Sequence, residues 1–212
     1  MQCASLIDFE ADYVSMNLIL PNITEPVPSI FIGGWLIIQK NVPDANSIFN
    51  KLWIDYRNGF GDPATKYFWF GKEKLFQLLS SGNWKLRVEV QSKYTRKWYS
   101  AEYESFRLGS EASKYALNVT GYTGDAGDAF SVVTLGTYVA NGMKFTTVNS
   151  DNDQYLKGNC EINEKGGWWW NHCGTSSLNS FTSGGNSWGT LQILGLAPTR
   201  YVQSGRMMIK KN

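Results

Sequence analysis

Histidine is almost absent from this chain: His172 is the only one among 212 residues. A metal centre built on several imidazoles is therefore excluded. No apolar run approaches the ~20 residues that a membrane-crossing helix requires. Met1 to Asp8 carry neither the basic n-region nor the apolar h-region of a signal peptide, so none is read there. Acidic residues stop at Glu164, whereas Lys165, Arg200, Arg206, Lys210 and Lys211 follow. The end of the chain thus has a mildly basic surface, open either to solvent or to an anionic ligand. The formal charge of +2 is too small to point to nucleic acid, and no basic stripe is interleaved with aromatics. Phosphate-cradling and dinucleotide motifs, internal repeats and low-complexity linkers are all missing. Gly185-Asn186-Ser187-Trp188-Gly189 matches the G-x-S-x-G spacing of a nucleophile elbow. That motif needs Asp and His downstream, and no Asp, Glu or His follows Ser187, so the chain reads as a non-enzyme.

What is present suits one compact domain. Hydrophobic residues make up 42%, enough for a core, which sets disorder aside. Nine Trp and twenty-one Gly suggest tight turns packed by large flat side chains. Pro21, Pro26 and Pro28 keep the segment before Ile30 irregular or extended. Trp35 to Gln39 reads as a buried strand, Asn50 to Asn58 as a helix stopped by Gly59, and Lys72 to Leu79 as a second helix. Lys85–Gln91 and Lys97–Phe106 read as a hairpin joined through Ser92–Arg96, with a further strand at Tyr115–Gly121. Leu191–Leu196 and Met207–Ile209 are expected to return to the sheet.

Between Gly121 and about Thr190 the chain is dominated by Gly, Asn, Ser, Thr and Asp. So long a loop region needs a tie other than a core, and a disulfide or a metal could supply it. Asp151 and Asp153 lie two residues apart in Asp151-Asn152-Asp153-Gln154-Tyr155. Such a pair can converge on one hard cation with backbone carbonyls completing the shell, and calcium suits it better than magnesium. The same pair can equally make a solvated turn. It is no EF-hand, because Leu156 and Ile162 replace the Gly and Glu that positions six and twelve require. Close by, Cys160 and Cys173 enclose Trp168-Trp169-Trp170-Asn171-His172. A disulfide across that loop would contribute about 3 kcal/mol. The tryptophans either pack beneath the loop or offer a stacking platform. Three cysteines leave one over, and the sequons at Asn22 and Asn118 are compatible with a secreted chain.

Several stretches together carry a resemblance. They are Gly33 to Gln39, Trp53-Ile54-Asp55-Tyr56-Arg57-Asn58-Gly59-Phe60-Gly61, Phe68 to Lys74 and Tyr115-Ala116-Leu117 through Gly124. The series continues with Ala126 to Ala129, Asn141 to Thr147, and the Asp-Asn-Asp loop running on to Cys173. In this order and spacing the chain resembles the fibrinogen C-terminal domain of ficolins, tachylectins and invertebrate fibrinogen-related lectins. The resemblance implies an α+β fold: a central antiparallel sheet, short helices and a loop-rich calcium/ligand subdomain. One domain would span 1–212, with an N-terminal part at about 1–40, a sheet at about 41–130 plus 191–210, and a ligand/calcium part at about 131–190.

The resemblance also implies a calcium ion held by Asp151, Asp153 and the carbonyls of Tyr155 and Lys157, the loop being one residue longer than the usual pattern. It implies a Cys160–Cys173 disulfide and a cis bond at His172–Cys173, which would aim the N–H groups of Cys173 and Gly174 at an acetyl oxygen. His172, Phe181 and Tyr201 would complete the pocket. Gly174 replaces the usual His, Ser177-Leu178-Asn179-Ser180 replaces Asn-Leu-Asn-Gly, and the aromatic tail is gone, so the pocket reads as remodelled. Cys3 lacks the family partner, since Val27–Ile32 holds no cysteine, and is free or joins two chains. The implied function is secreted, calcium-dependent, lectin-like recognition of acetylated carbohydrate or another small polar ligand in innate immunity, by an oligomer. The alternative is a protein–protein interaction module of the same fold.

Overall fold

The computed structural model describes residues 13–21, 23–42, 48–131, 139–174, 176–180, 186–189 and 201–212. Strands β1 (Tyr13–Leu18), β2 (Val27–Ile32) and β3 (Trp35–Asn41) precede helix α1 (Trp53–Asn58). Short strands β4 (Phe60–Gly61) and β5 (Tyr67–Trp69) lead into helix α2 (Lys72–Leu79). The long strands β6 (Trp84–Ser92) and β7 (Trp98–Leu108) continue through a 3-10 turn at Glu111–Ser113 to β8 (Leu117–Gly124). Helix α3 (Cys160–Glu164) and strands β9 (Ser176–Ser177), β10 (Asn186–Trp188) and β11 (Tyr201–Lys211) complete the described elements.

The main sheet runs β1-β2-β3-β11-β6-β7-β8, with every pairing antiparallel. The strand that is last in sequence therefore lies at the centre, between β3 and β6. Alternation explains why these segments pair. Leu86, Val88 and Val90 are fully buried, and Ala101, Tyr103, Leu117, Val119, Met207 and Ile209 join them on the core side. Helix α2 lays Leu75 and Leu79 into the same core.

Two glycines set how the short helices meet. Gly59 ends α1 at φ 94° and Gly71 precedes α2 at φ 103°. A Cβ on Gly59 would lie 2.6 Å from the Phe70 carbonyl oxygen, and one on Gly71 would lie 2.7 Å from that of Asn58. Backbone packs directly on backbone here, and only glycine supplies both the space and the torsion angle.

Two boundaries differ from the sequence reading, and one segment left open by it is settled. Of irregular and extended, the segment before Ile30 is extended: β1 and β2 pair over six residues, with Pro28 opposite Asn17. Proline is accommodated because β2 meets β3 only at Phe31 and Ile32, so no ladder bond to β3 is lost at Pro28. Helix α1 begins at Trp53 rather than Asn50, because its start is fixed by a distant residue. The Trp53 N–H donates to Asn149 Oδ1 at 2.8 Å, while the Leu52 N–H donates to Asp55 Oδ2 at 3.1 Å. Strand β8 begins at Leu117, since Lys114 and Tyr115 take left-handed torsions (φ 58° and 50°) and turn the chain first. The expected strand at Leu191–Leu196 lies outside the described residues.

Candidate functional site

The region between β8 and β11 has a core of its own. Trp168, Trp169, Trp170 and Trp188 are at most 1% exposed, which assigns the tryptophans to packing and removes the stacking platform. Phe145 sits edge-on to Trp169 at 5.1 Å and packs on Tyr56 at 5.1 Å; Phe130 meets Trp188 edge-on at 5.1 Å. A buried amide network then ties the region to the sheet. Gln39 Nε2 donates to the Leu178 carbonyl (2.9 Å) and to Asn179 Oδ1 (3.0 Å). Asn41 Nδ2 donates to the Leu178 carbonyl (2.9 Å) and to Asn186 Oδ1 (2.8 Å). Asn179 Nδ2 reaches the Gly167 carbonyl at 2.9 Å, and the Tyr56 hydroxyl accepts from the Gly167 N–H at 2.9 Å while donating to Phe49 O at 2.7 Å. Burial without partners would cost a few kcal/mol per group, so these bonds fix the loop in one register.

On this base a disulfide closes one of the two sequence-predicted loops, and a hydrogen bond and a ring contact bring the other against it. Cys160 and Cys173 are disulfide-bonded, with Cα atoms 5.0 Å apart. The Gln154 N–H donates to the Asn171 carbonyl at 2.7 Å. The Tyr155 and His172 rings stack with centroids 4.7 Å apart and 32° between planes. His172 thus serves the loop as a flat packing surface. The described residues contain no cis peptide bond, so the one expected at His172–Cys173 is trans. The chain reverses instead through two successive left-handed residues, Cys173 (φ 62°) and Gly174 (φ 67°).

Asp153 is the organising carboxylate. Its Oδ1 accepts the Tyr155 N–H and its Oδ2 accepts the Cys160 N–H, both at 2.8 Å. Asp151 Oδ1 accepts the Asp153 N–H at 3.2 Å, which sets the two carboxylates side by side. Burial lifts Asp153 above the usual carboxylate range and the neighbouring Asp151 charge adds to this, while the two N–H donors pull the other way. Each Asp153 oxygen keeps a lone pair beyond its N–H bond. The Tyr155 carbonyl accepts the Gly158 N–H at 3.2 Å and likewise retains acceptor capacity, and Lys157 lies in the same turn. The donor set is all oxygen, partly charged and irregular in outline, which fits a calcium ion. No group of three or more His, Cys, Asp or Glu gathers among the described residues, so carbonyls are needed to complete a shell.

The other sequence candidates separate. Phe181 lies outside the described residues, and Tyr201 opens β11 opposite Ser187, its side chain outside them. Ser187 itself is 5% exposed inside β10, not on a sharp turn between a strand and a helix. Two residues that the sequence shows only as departures from an EF-hand stand at the surface instead. Leu156 is fully exposed at the tip of the Tyr155–Gly158 turn, and Ile162 is 60% exposed on α3. An apolar residue in place of the EF-hand glycine was the available signal.

Residues 30–197 match the family described as "Fibrinogen beta and gamma chains, C-terminal globular domain". The chain belongs to the fibrinogen C-terminal domain family. Angiopoietin-4 of Bos taurus is 39% identical over 84% of this chain and 35% of its own length. Angiopoietin-related protein 2 of Homo sapiens is 37% identical over 81% of this chain and 34% of its own. This fibrinogen C-terminal domain thus spans about a third of the length of these relatives. The fibrinogen-like globe domain of human ANGPTL2 superposes with a TM-score of 0.77 at 31% identity, covering 97% of this chain and 95% of that one. Lamprey fibrin D-dimer, complexed with the peptide Gly-His-Arg-Pro-amide, gives a TM-score of 0.77 at 25% identity, covering 94% and 69%. The expected α+β fold with its central antiparallel sheet is borne out. No helix of the described residues is long and apolar enough to cross a membrane.

Proposed function

We propose that this domain is an extracellular, non-enzymatic recognition module whose calcium and disulfide loops together present a surface to a protein partner. The observation that carries this reading is the full exposure of Leu156 beside the linked Tyr155–His172 and Cys160–Cys173 pairs. A solvent-facing leucine gains free energy only when a partner covers it. The angiopoietin-type relatives and the peptide-bound lamprey fibrin support the same class of partner. A disulfide supports an oxidising, extracellular setting.

Calcium has a supporting part in this reading. Asp151 and Asp153, with the Tyr155 and Lys157 carbonyls, would hold it, and the bound ion would neutralise the carboxylate pair and stiffen the turn bearing Leu156. The lectin reading rests on the N–H groups of Cys173 and Gly174 as acetyl-oxygen donors. It is the weaker one, because the tryptophans that could wall a sugar are buried and Gly174 offers no side chain.

The test displays the domain on beads against a panel of receptor ectodomains, with calcium or EDTA, as wild type and as Leu156→Arg. Capture of a defined ectodomain is expected, falling at least tenfold for Leu156→Arg and in EDTA, with no retention on acetylated resin. Calcium-dependent retention on acetylated resin, released by free N-acetylglucosamine and untouched by Leu156→Arg, would sink the protein-partner reading.

A further inference from the structure

Strand β8 closes one side of the main sheet, and the described structure treats its outer edge in a particular way. The Asn141 side chain is laid along it: Oδ1 accepts the Val119 N–H at 3.0 Å, and Nδ2 donates to the Val119 carbonyl at 2.9 Å. The Leu117 N–H donates to Met143 O at 3.0 Å, and the Leu117 carbonyl accepts the Gly142 N–H at 2.8 Å. The outer-edge backbone groups of Leu117 and Val119 are thereby satisfied by a loop, which blunts this end of the edge against pairing with another chain. The strand's alternation then sorts its side chains. Leu117 and Val119 are each 1% exposed in the core, whereas Asn118 and Thr120 between them are exposed on the opposite face. Asn118 stands opposite Arg107 and Thr120 opposite Ser105 on β7.

Asn118-Val119-Thr120 is an N-x-Thr acceptor, and the two groups that the transfer reaction reads, the Asn carboxamide and the Thr hydroxyl, share that exposed face. We propose that Asn118 is an N-glycosylation site whose glycan covers the β7–β8 corner of the sheet. The reaction is a transfer without redox change. The Asn118 Nδ2 forms a bond to the anomeric carbon of an oligosaccharide carried on a lipid diphosphate. The bond from that carbon to the diphosphate oxygen breaks, the lipid diphosphate leaves with the electron pair, and Nδ2 gives up one proton. The donor and the transferring enzyme are those of the secretory route, so the proposal rests on the extracellular reading above. Its consequence for that reading is geometric. A bulky hydrated glycan on this face removes the β7–β8 corner from any protein interface and leaves the linked loops as the side open to a partner. The sequon at Asn22 lies outside the described residues and contributes nothing to this argument.

The full chain is secreted from cultured eukaryotic cells behind a heterologous signal peptide, and peptides are mapped with and without the amidase that removes N-glycans. The tryptic segment Tyr115–Lys144 contains this one acceptor tripeptide. It is expected to be missing as an unmodified species, and to appear after amidase treatment with Asn118 converted to Asp. Asn118→Gln and Thr120→Ala should each abolish that conversion, and Thr120→Ser should keep it. Both side chains are exposed, so the secreted yield of the variants should match wild type. Secreted protein whose Cys160–Cys173 peptide pair is oxidised but whose Tyr115–Lys144 segment is wholly unmodified overturns the glycan proposal and leaves the extracellular reading standing. Retained protein with reduced Cys160 and Cys173 overturns both.

Discussion

Lys72 is a costly residue to bury in the core, and replacing it should stabilise the protein. Its side chain is fully buried, and its Nζ has no hydrogen-bond acceptor. The amine lies 3.3 Å from the Trp53 ring centroid, 4.0 Å from that of Phe145 and 5.0 Å from that of Tyr115. The carboxylate that acts on it is already engaged, since Glu111 accepts from Trp53 Nε1 and from Arg57 Nε, both at 2.9 Å. Burial dominates and lowers the Lys72 pKa from 10.5 to about 6; Glu111 opposes this and Lys114 reinforces it. Folding at pH 7 then requires loss of a proton that the unfolded chain holds. At about 1.4 kcal/mol per pH unit below 10.5, the cost is roughly 4–5 kcal/mol. The penalty is absent above pH 10.5, grows as pH falls, and levels off near pH 6. The aromatic faces favour the ammonium by about 2 kcal/mol, which raises the plateau pH without removing the slope above it.

Lys72→Met keeps the aliphatic stem and removes the amine. It should gain about 4 kcal/mol at pH 7 and about 2 kcal/mol at pH 9. Urea unfolding followed by tryptophan fluorescence at pH 6, 7, 8 and 9, with calcium held constant, measures both the gain and its slope. A destabilised variant at pH 7, or a gain that stays flat from pH 7 to pH 9, would refute the reasoning. Lys72 would then be a charged residue held by its aromatic cage.

Three further perturbations probe other parts of the fold. Glu161 is 1% exposed with Oε1 unpaired, and burial raises its pKa to about 7; Glu161→Gln should therefore gain about 3 kcal/mol at pH 8 and less than about 1 kcal/mol at pH 5, read from the same urea curves. An equal gain at both pH values would show that charge is not its cause. Replacing Cys160 and Cys173 together by Ser should cost about 3 kcal/mol and weaken calcium binding in a calorimetric titration, and an unchanged stability would mean that the amide network alone holds the loop. Gly59→Ala should cost roughly 3 kcal/mol in thermal unfolding, because the added carbon meets the Phe70 carbonyl at a positive φ; a cost below about 1 kcal/mol would mean that α1 and α2 separate easily.

What the sequence made legible followed from short-range pattern. Period-two alternation located β6 and β7 to within two residues, and helix α2 was bounded correctly by its apolar face. The Asp151–Asp153 spacing and the Cys160–Cys173 loop singled out two segments that the fold links. What stayed hidden depends on residues far apart in sequence. The start of α1 is set by Asn149, and the central place of β11 by partners on both sides. The amide network joins positions about 140 apart, such as Gln39 and Asn179. Its one local sign was Gln39 and Asn41 at period two, after the apolar run Trp35–Ile38. Lys72 had a similar sign, three residues before Leu75 on the same helix face.

These hidden interactions bear on how the proposed recognition surface would be controlled. The Trp168–Trp170 stretch is anchored from below by aromatic packing and by the Asn179–Gly167 and Tyr56–Gly167 bonds, none of which involves Asp151 or Asp153. The tryptophan stretch therefore keeps its anchors whatever happens at the carboxylate pair, which reaches the disulfide loop only at its start, through the Cys160 N–H. By contrast, the turn bearing Leu156 is held by Asp153, by the Gln154–Asn171 bond and by the Tyr155–His172 stack. A cation at the carboxylates can stiffen that turn without refolding anything beneath it. On the proposed reading, calcium then acts on partner affinity far more than on global stability, because the ordering cost it removes belongs only to the outer turn.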